Sequence, residues 1–204
     1  MENEHAPQAG APRLKGMTPL VLASSSPRRS EILTAVGWPF EPHPAGVDET
    51  RLDSEGPEDF VTRLARAKAD AVARTRLFGL VLGADTTVLV DGEILEKPRD
   101  ADDARRMLRA LAGRWHEVLT GVALVRAETG RAAVGLERTR VRFAETSDEE
   151  IDWHVLTGDV LDKAGAYAIQ GRAALFIEAI DGDYWNVVGL PVRLVYELAR
   201  GLEE

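Results

Sequence analysis

The sequence has no cysteine and only four histidines among its 204 residues. The absence of cysteine excludes disulfides, thiolate metal sites and catalysis through a cysteine nucleophile. The histidines, at positions 5, 43, 116 and 154, lack the spacing of metal ligands, which argues against a histidine-based zinc site. Any metal bound by this chain would therefore be held by oxygen or imidazole ligands.

Long apolar runs and an excess of positive charge are also absent. No stretch approaches the roughly 18 apolar residues of a membrane span, and residues 1–16 lack the apolar core of a signal peptide. The formal net charge of -9 argues against a broad basic face for nucleic acid or anionic membranes, but leaves room for a local basic pocket. We therefore expect a cytoplasmic protein with no nucleic-acid or membrane partner.

Several familiar catalytic motifs are missing as well. There is no G-x-x-x-x-G-K-[ST] loop and no G-x-S-x-G elbow, which disfavours a P-loop NTPase and a serine hydrolase. The sequence Asp85-Thr86-Thr87 lacks the second aspartate, two positions on, that a phosphatase with an aspartyl nucleophile would usually need as its acid. Covalent phosphoryl transfer is accordingly disfavoured.

The remaining composition predicts one compact domain over residues 17–204, after a flexible tail over residues 1–16. With 45% hydrophobic residues the chain can bury a sizeable core. Apolar runs predict strands over 19–23, 40–43, 80–82, 87–90, 93–95, 115–125, 134–143 and 174–180. Apolar stripes with capping residues predict helices over 27–36, 57–76, 101–111, 148–156 and 191–202.

The stretch from residue 80 to residue 99 places a carboxylate, Asp85, between two apolar runs. A carboxylate in such surroundings is seldom buried unless it is paired, hydrogen-bonded or bound to a metal. The alternative is that Asp85 caps a bend after Gly83, since Asp and Gly are common turn residues. The pair Asp91-Gly92 predicts a hairpin, which would bring Asp85 and Lys97 to neighbouring strand ends.

Two arginines, Arg28 and Arg29, fall in the first turn of a predicted helix that follows Ser24, Ser25 and Ser26. Cations are unfavourable at a helix N-terminus unless an anion is present, so the arrangement suggests a phosphate site. A well-capped surface helix with solvated arginines is an equally good interpretation of this stretch alone.

Three more polar residues invite two interpretations each. Lys68 lies in an apolar stripe, where its ammonium group either extends past the apolar face or meets an anion. Glu49 lies in an acidic loop that is either solvated or able to reach a cleft. Gln170, in a glycine-rich loop, is either a turn residue or a partner for a base edge, because a carboxamide both donates and accepts. Together with Arg28, Arg29, Lys97 and Asp85, these residues would suit a polyphosphate with Mg²⁺ or Mn²⁺.

Five stretches resemble the Maf family of nucleoside triphosphate pyrophosphatases, in the family's order and spacing. They are LVLASSSPRRSEIL (20–33), LARAKA (64–69), VLGADTTVLVDGEILEKPRD (81–100), DKAGAYAIQG (162–171) and DGDYWNVVGLP (181–191). The resemblance implies an α/β fold of the Maf/ITPase-like kind: a mixed twisted sheet flanked by helices, with two lobes around a central cleft. It also implies metal-dependent hydrolysis of a nucleoside triphosphate to the monophosphate and pyrophosphate.

The resemblance also assigns roles to individual residues. Asp85 resembles the family's proton acceptor and would share a divalent metal with Glu49. The phosphate and substrate contacts would include Ser24, Arg28, Arg29, Lys68 and Lys97. The combination of Arg28, Thr86 and Gln170 is similar to the subgroup that acts on dTTP and UTP as a house-cleaning enzyme, and differs from the 7-methyl-GTP subgroup.

Other implications of the resemblance are less specific. Ala168 replaces a glycine that is usual in the family's GAYGIQG pattern, and residues 1–16 have no counterpart. A homodimer is compatible with the family, although no stretch specifies an interface. The competing hypothesis is a nucleotide-sensing regulator linked to septum formation or cell division, which would bind the same ligands without catalysis.

Overall fold

A single mixed sheet runs through the part of the chain that the computed structural model describes, residues 19–158 and 160–203. The strand order is β2-β1-β3-β5-β6-β7, and β4 pairs with β3. β2 and β3 lie parallel to β1, and the other pairs are antiparallel. The strands are β1 (Leu20–Leu22), β2 (Phe40–Pro42), β3 (Leu80–Val90), β4 (Glu93–Leu95), β5 (Trp115–Arg126), β6 (Ala132–Phe143) and β7 (Ile177–Asp181).

Helices cover both faces of this sheet. On one face α2 packs its small and apolar side chains on β1, β3 and β5, while α1 and α6 pack on the other face. A further apolar cluster joins α3 and α4 to β3, β4, β5 and β6. The helices are α1 (Pro27–Ala35), α2 (Pro57–Ala73), α3 (Ala101–Leu111), α4 (Asp148–Leu156), α5 (Tyr184–Val188) and α6 (Val192–Gly201).

Local capping signals fix two of the helices. Asp100 accepts a hydrogen bond from the N–H of Asp103 at the start of α3, and Ser147 forms a capping box with Glu150 at the start of α4. Both helices have the predicted bounds. Asp103 does not complete a capping box, because its carboxylate accepts from the backbone N–H of Arg99 instead.

The predicted break at Asp85 is wrong, because β3 is continuous from residue 80 to residue 90. Its backbone pairs with β5 at every position from Leu80↔Arg126 to Leu89↔Glu117, and this long pairing keeps the strand extended through Asp85. Asp85 therefore lies inside a strand and not at a strand end. The predicted hairpin at Asp91-Gly92 is confirmed, because β4 pairs antiparallel with β3. Lys97 follows the end of β4, so the Asp85 and Lys97 side chains are not at neighbouring strand ends.

Two glycines let α2 approach the sheet closely. A Cβ atom on Gly83 would lie 2.2 Å from the carbonyl oxygen of Ala65, and one on Gly121 would lie 2.3 Å from that of Val61. Gly121 is the β5 partner of Asp85. The α2 backbone thus rests directly on β3 and β5, which places the helix beside the Asp85 side chain.

Two other predictions need correction or fall outside the described residues, and one helix was not predicted. The strand predicted over 174–180 is a 3₁₀ helix, Arg172–Phe176, followed by β7. The short helix α5 was not predicted. The tail predicted over residues 1–16 lies outside the described residues. Within residues 19–158 and 160–203, every helix is too short or too polar to cross a bilayer.

Candidate active site

A gap along one edge of β3 creates a cleft. On this edge, β1 pairs with β3 up to Leu22↔Leu82, and β4 begins at Val88↔Leu95. β5 occupies the opposite edge throughout. Residues 85–87 of β3, which include Asp85 and Thr86, line the cleft between the two neighbouring strands.

The cleft has a volume of about 390 Å³, which is in the range of small-molecule sites. Its walls come from the β1–α1 turn, α2, β3, the segment after β4 and the segment over residues 162–170. Every site residue singled out from the sequence lines this cleft: Ser24, Arg28, Arg29, Glu49, Lys68, Asp85, Thr86, Lys97 and Gln170.

At the centre of the cleft, the ammonium group of Lys68 lies between two carboxylates. The Nζ atom of Lys68 lies 2.6 Å from Oδ1 of Asp85 and 2.7 Å from Oε1 of Glu49. The Lys68 and Asp85 side chains are almost fully buried, whereas that of Glu49 is half exposed. Of the two alternatives for Lys68, the ammonium group thus meets an anion, and the anion is provided by the protein.

The two carboxylates differ in their acidity. Burial raises the pKa of Asp85, and the nearby charges of Lys68 and Arg29 offset this effect only in part. Burial also acts to raise the pKa of Glu49, but the hydrogen bond and charge of Lys68 outweigh it, so the pKa of Glu49 is lowered. Asp85 is therefore the stronger base of the pair and the better candidate for accepting a proton.

Arg29 is buried and held by three parts of the chain. Its Nε donates to the carbonyl oxygen of Gly189 at 2.9 Å, Nη1 donates to Oγ of Ser24 at 2.9 Å, and Nη2 donates to Oγ1 of Thr86 at 3.1 Å. Burial lowers the pKa of Arg29 despite the opposing charge of Asp85. The guanidinium group thus ties the start of α1 to β3 and to the end of α5, and is not a solvated arginine.

The Thr86 hydroxyl is part of the same buried network. Its Oγ1 lies 2.9 Å from Oγ1 of Thr120, whose hydroxyl donates at 3.4 Å to the carbonyl oxygen of Asn186. Thr120 and Asn186 have no exposed surface. Hydroxyl orientation at Thr86 is thus coupled to β5 and α5.

Arg28 reaches across the mouth of the cleft. Its Nη1 donates to Oδ2 of Asp162 at 3.1 Å, and the other carboxylate oxygen of Asp162 accepts from Nζ of Lys163 at 2.6 Å. Lys163 is buried and lines the cleft. Burial acts to raise the pKa of Asp162, but the two cations outweigh it and lower that pKa.

The serine-rich turn before α1 positions Arg29. Ser26 occupies the N-cap position of α1, but its side chain makes no capping hydrogen bond. The Ser24 hydroxyl instead accepts from the backbone N–H of Ser26 at 3.2 Å and from Arg29. Ser24 thus orients Arg29, and the side chain of Ser26 does not close the helix end.

The remaining predicted residues occupy the rim. Lys97 and Gln170 are exposed, and Gln170 ends the segment that begins at Asp162. Gly165 and Ala166 have positive φ angles, whereas Ala168 does not. The backbone at position 168 therefore does not require the glycine that is usual in the resembling family.

The donor set fits a hard divalent cation that completes its coordination with substrate oxygens. Within the described ranges, no group of three or more His, Asp or Glu side chains could hold a metal by itself. Two carboxylates, Glu49 and Asp85, converge on one cationic centre. Mg²⁺ is commonly bound by one or two carboxylates together with substrate phosphates, and this pair matches that pattern.

Sequence reasoning did not single out Asp162, Lys163, Thr120 or Tyr167 as cleft or network residues. The glycine-containing stretch DKAGAYAIQG includes Asp162, Lys163 and Tyr167. Its composition differs from that of the neighbouring segments and could have pointed to these residues. Thr120 lies in an apolar strand and gives no local signal, because its partner Thr86 is distant in sequence.

Comparison with known proteins supports the resemblance. The family model described as Maf-like protein matches residues 19–202. A dTTP/UTP pyrophosphatase of Symbiobacterium thermophilum is 53% identical over 182 residues, which cover 89% of this chain and 93% of that protein. A second dTTP/UTP pyrophosphatase, from Anaeromyxobacter dehalogenans, is also 53% identical, over 89% of this chain and 92% of that protein. One from Bacillus cytotoxicus is 50% identical, over 90% of this chain and 96% of that protein.

Proposed function

The chain belongs to the Maf family, and on that basis we propose that it hydrolyses dTTP and UTP to the nucleoside monophosphate and pyrophosphate. The relatives that bear this activity in their names match it over nearly their whole length. The structural observation that carries the proposal is the buried Asp85 carboxylate, which pairs with Lys68 and feels the charge of Arg29, in a cleft lined with further cations.

In the proposed reaction, Asp85 accepts a proton from the attacking water. The water oxygen forms a bond to phosphorus, the α–β phosphoanhydride bond breaks, and pyrophosphate leaves with the electron pair of that bond. The raised pKa of Asp85 suits this role, because a stronger base removes the proton more readily. Lys68 holds the Asp85 carboxylate in place through their 2.6 Å contact.

Cations around the cleft would bind the triphosphate. Lys97 and Arg28 are accessible from the cleft and can contact phosphate oxygens, whereas Arg29 is committed to Ser24, Thr86 and Gly189. Each Arg29 terminal nitrogen still has a second N–H group, since a guanidinium carries five donors. Arg29 thus shapes the phosphate site and can donate to it as well.

Glu49 and Asp85 would hold the divalent cation, which we propose is Mg²⁺ or Mn²⁺. When bound, such an ion neutralises charge that develops on the phosphate oxygens. The half-exposed side chain of Glu49 can turn toward an incoming substrate complex without disturbing the core.

Base selection is assigned to the rim of the cleft. Gln170 can donate to a carbonyl oxygen and accept from an N–H group, which matches the edge of uracil or thymine. Thr86 and Arg28 would contribute through the networks that fix their side chains. A nucleotide hydrolase would meet its substrates in the cytoplasm, where we expect this chain to act.

The test is a panel of nucleoside triphosphates with product identification. Purified protein with Mg²⁺ or Mn²⁺ should convert UTP and dTTP to the monophosphate and pyrophosphate, at higher kcat/KM than other triphosphates. Release of orthophosphate and a diphosphate would contradict the proposed bond cleavage. Tight UTP binding by calorimetry with no turnover would instead favour the nucleotide-sensing regulator.

A further inference from the structure

A buried hydrogen bond joins β5 to the segment that ends at Gln170. The Nε2 atom of His116 lies 2.8 Å from the hydroxyl oxygen of Tyr167. Both side chains are buried, and both rings contact Phe143 edge-on. The centroid of the Phe143 ring lies 5.1 Å from that of His116 and 4.9 Å from that of Tyr167. The bond is therefore enclosed by apolar side chains, where breaking it without replacement is costly.

The burial of the side chains alternates along the segment over residues 167–170. Tyr167 and Ile169 are buried in two different apolar clusters, whereas Ala168 is half-buried and Gln170 is exposed on the cleft side. Tyr167 has an extended backbone, and the four residues after it form a turn in which the N–H of Gly171 donates to the carbonyl oxygen of Ala168 at 3.0 Å. Gln170 lies inside this turn, so a shift of Tyr167 would move the turn and with it the Gln170 side chain.

Tyr167 lies between two backbone contacts, one at Gly165 and the other within the turn over residues 168–171. The N–H of Gly165 donates to the carbonyl oxygen of Glu96 at 3.1 Å, and a Cβ atom at Gly165 would meet Val88. The hydrogen bond between Gly171 and Ala168 closes the turn on itself, and Tyr167 provides the buried polar contact that can fix the position of the turn against β5. Apolar packing of Ile169 adds affinity for the core but little directional preference, because the hydrophobic effect is non-directional.

His116 has no competing polar role within the described residues. Its Nδ1 atom is buried and has no hydrogen-bond partner there, so the Tyr167 hydroxyl is the polar contact of the ring. Burial lowers the pKa of His116 to about 4, so the ring is neutral at physiological pH. A neutral ring offers one donor nitrogen and one acceptor nitrogen, and either can pair with a phenol.

We infer that His116 is a positioning residue for base selection: through the Tyr167 hydroxyl it fixes the position of the turn that presents Gln170 to the cleft. This inference rests on the proposed function, since it assumes that Gln170 contacts the base. Uracil and cytosine differ at position 4, where one has a carbonyl oxygen and the other an amino group. A displaced carboxamide would therefore discriminate less between UTP and CTP.

The test measures the ratio of kcat/KM for UTP to that for CTP. Any loss of folded protein lowers both values by the same factor, so the ratio is insensitive to stability alone. Tyr167→Phe removes one hydroxyl and His116→Leu removes its partner. Both should lower the ratio about tenfold, which is the effect expected from one well-placed hydrogen bond. His116→Gln retains a polar atom near the Nε2 position and should restore most of the ratio.

Phe176→Leu serves as the matched control, because Phe176 packs against Phe143 in the same apolar cluster without joining the hydrogen bond. It should lower the melting temperature and leave the ratio unchanged. An unchanged ratio in Tyr167→Phe, or equal use of UTP and CTP by the wild-type chain that still releases pyrophosphate, would overturn the inference. A wild-type chain that hydrolyses neither nucleotide would instead refute the proposed function.

Discussion

Lys68 and Asp85 form an ion pair of 2.6 Å in which both side chains are almost fully buried. Gly83 and Gly121 make this contact possible, because they allow α2 to rest on the backbone of β3 and β5. A buried carboxylate with one close cation is stabilised enough to ionise but remains a stronger base than a solvated one. The close packing of helix on sheet thus determines the chemistry of the cleft.

Replacing Asp85 by asparagine should abolish turnover without unfolding the protein. Loss of a general base typically lowers the rate by about 10²- to 10⁴-fold, and we expect kcat for UTP to fall at least that much. Because the folded-state pKa of Asp85 is raised, the native state binds more protons than the unfolded state just above the ordinary pKa. Stability therefore falls as the pH rises through that window, and the uncharged asparagine should keep or raise the melting temperature.

The matched control for that variant is Asp70→Asn. Asp70 also pairs with a cation, Arg66, at 2.8 Å, but it lies outside the cleft lining. This variant should retain the wild-type kcat. Near-normal turnover in Asp85→Asn, measured as pyrophosphate release, would remove Asp85 from its proposed role.

Replacing Arg29 by lysine should destabilise the protein. The ammonium group of lysine cannot span the three acceptors on Ser24, Thr86 and Gly189 that the planar guanidinium reaches. Leaving buried acceptors unpaired costs about 1–3 kcal/mol each, so Arg29→Lys should lower the free energy of unfolding by roughly 2–4 kcal/mol. Urea denaturation measures this loss.

Arg28→Lys is the comparison for Arg29→Lys. Arg28 is partly exposed and pairs with the exposed Asp162, and such surface pairs contribute little to stability. We expect an unchanged urea midpoint but a lower kcat/KM for UTP. Equal destabilisation by the two variants would contradict the difference between the buried, hydrogen-bonded Arg29 and the partly exposed Arg28.

Local signals in the sequence predicted the elements that local contacts determine. Asp100 and Ser147 cap α3 and α4, and each forms its capping hydrogen bond with the residue three positions later in the sequence. The continuity of β3 could not be predicted in this way, because it depends on pairing with β5 about 40 residues away. The hairpin at Asp91-Gly92 was predictable, because an Asp-Gly pair readily adopts the positive φ angles of a two-residue turn. Both residues have positive φ angles in the structure.

The candidate site shows the same division. Its residue types predicted an anion-binding cleft, and every residue singled out lines that cleft. The partners of Arg29 were not predictable, because Gly189 lies 160 positions from Arg29 along the chain. The carboxylates around Lys68 were separate candidates in the sequence, and only the packing of α2 on the sheet joins them.

Acid should destabilise the protein through His116. The unfolded-state pKa of histidine is about 6.5, and burial lowers the folded-state pKa of His116 to about 4. Between these values the unfolded state binds more protons, so stability falls as the pH drops through this window, by up to about 3 kcal/mol. His116→Gln removes this group, and its unfolding free energy should depend less on pH than that of the wild type. An unchanged pH dependence in His116→Gln, followed by urea denaturation between pH 4 and pH 7, would contradict this role of His116.

The close approach of α2 to the sheet should tolerate no side chain at position 83. A Cβ atom there would lie 2.2 Å from the carbonyl oxygen of Ala65 and 2.8 Å from the amide nitrogen of Ala69, so the helix would have to move away. We expect Gly83→Ala to cost about 1–3 kcal/mol of stability, the usual range for overpacking. Moving α2 also lengthens the Lys68–Asp85 contact, so kcat should fall further than the loss of folded protein explains. Gly201→Ala is the control: a Cβ atom there meets nothing within 4 Å, and this variant should leave kcat unchanged. Wild-type stability and kcat in Gly83→Ala would show that the position of α2 does not depend on this contact.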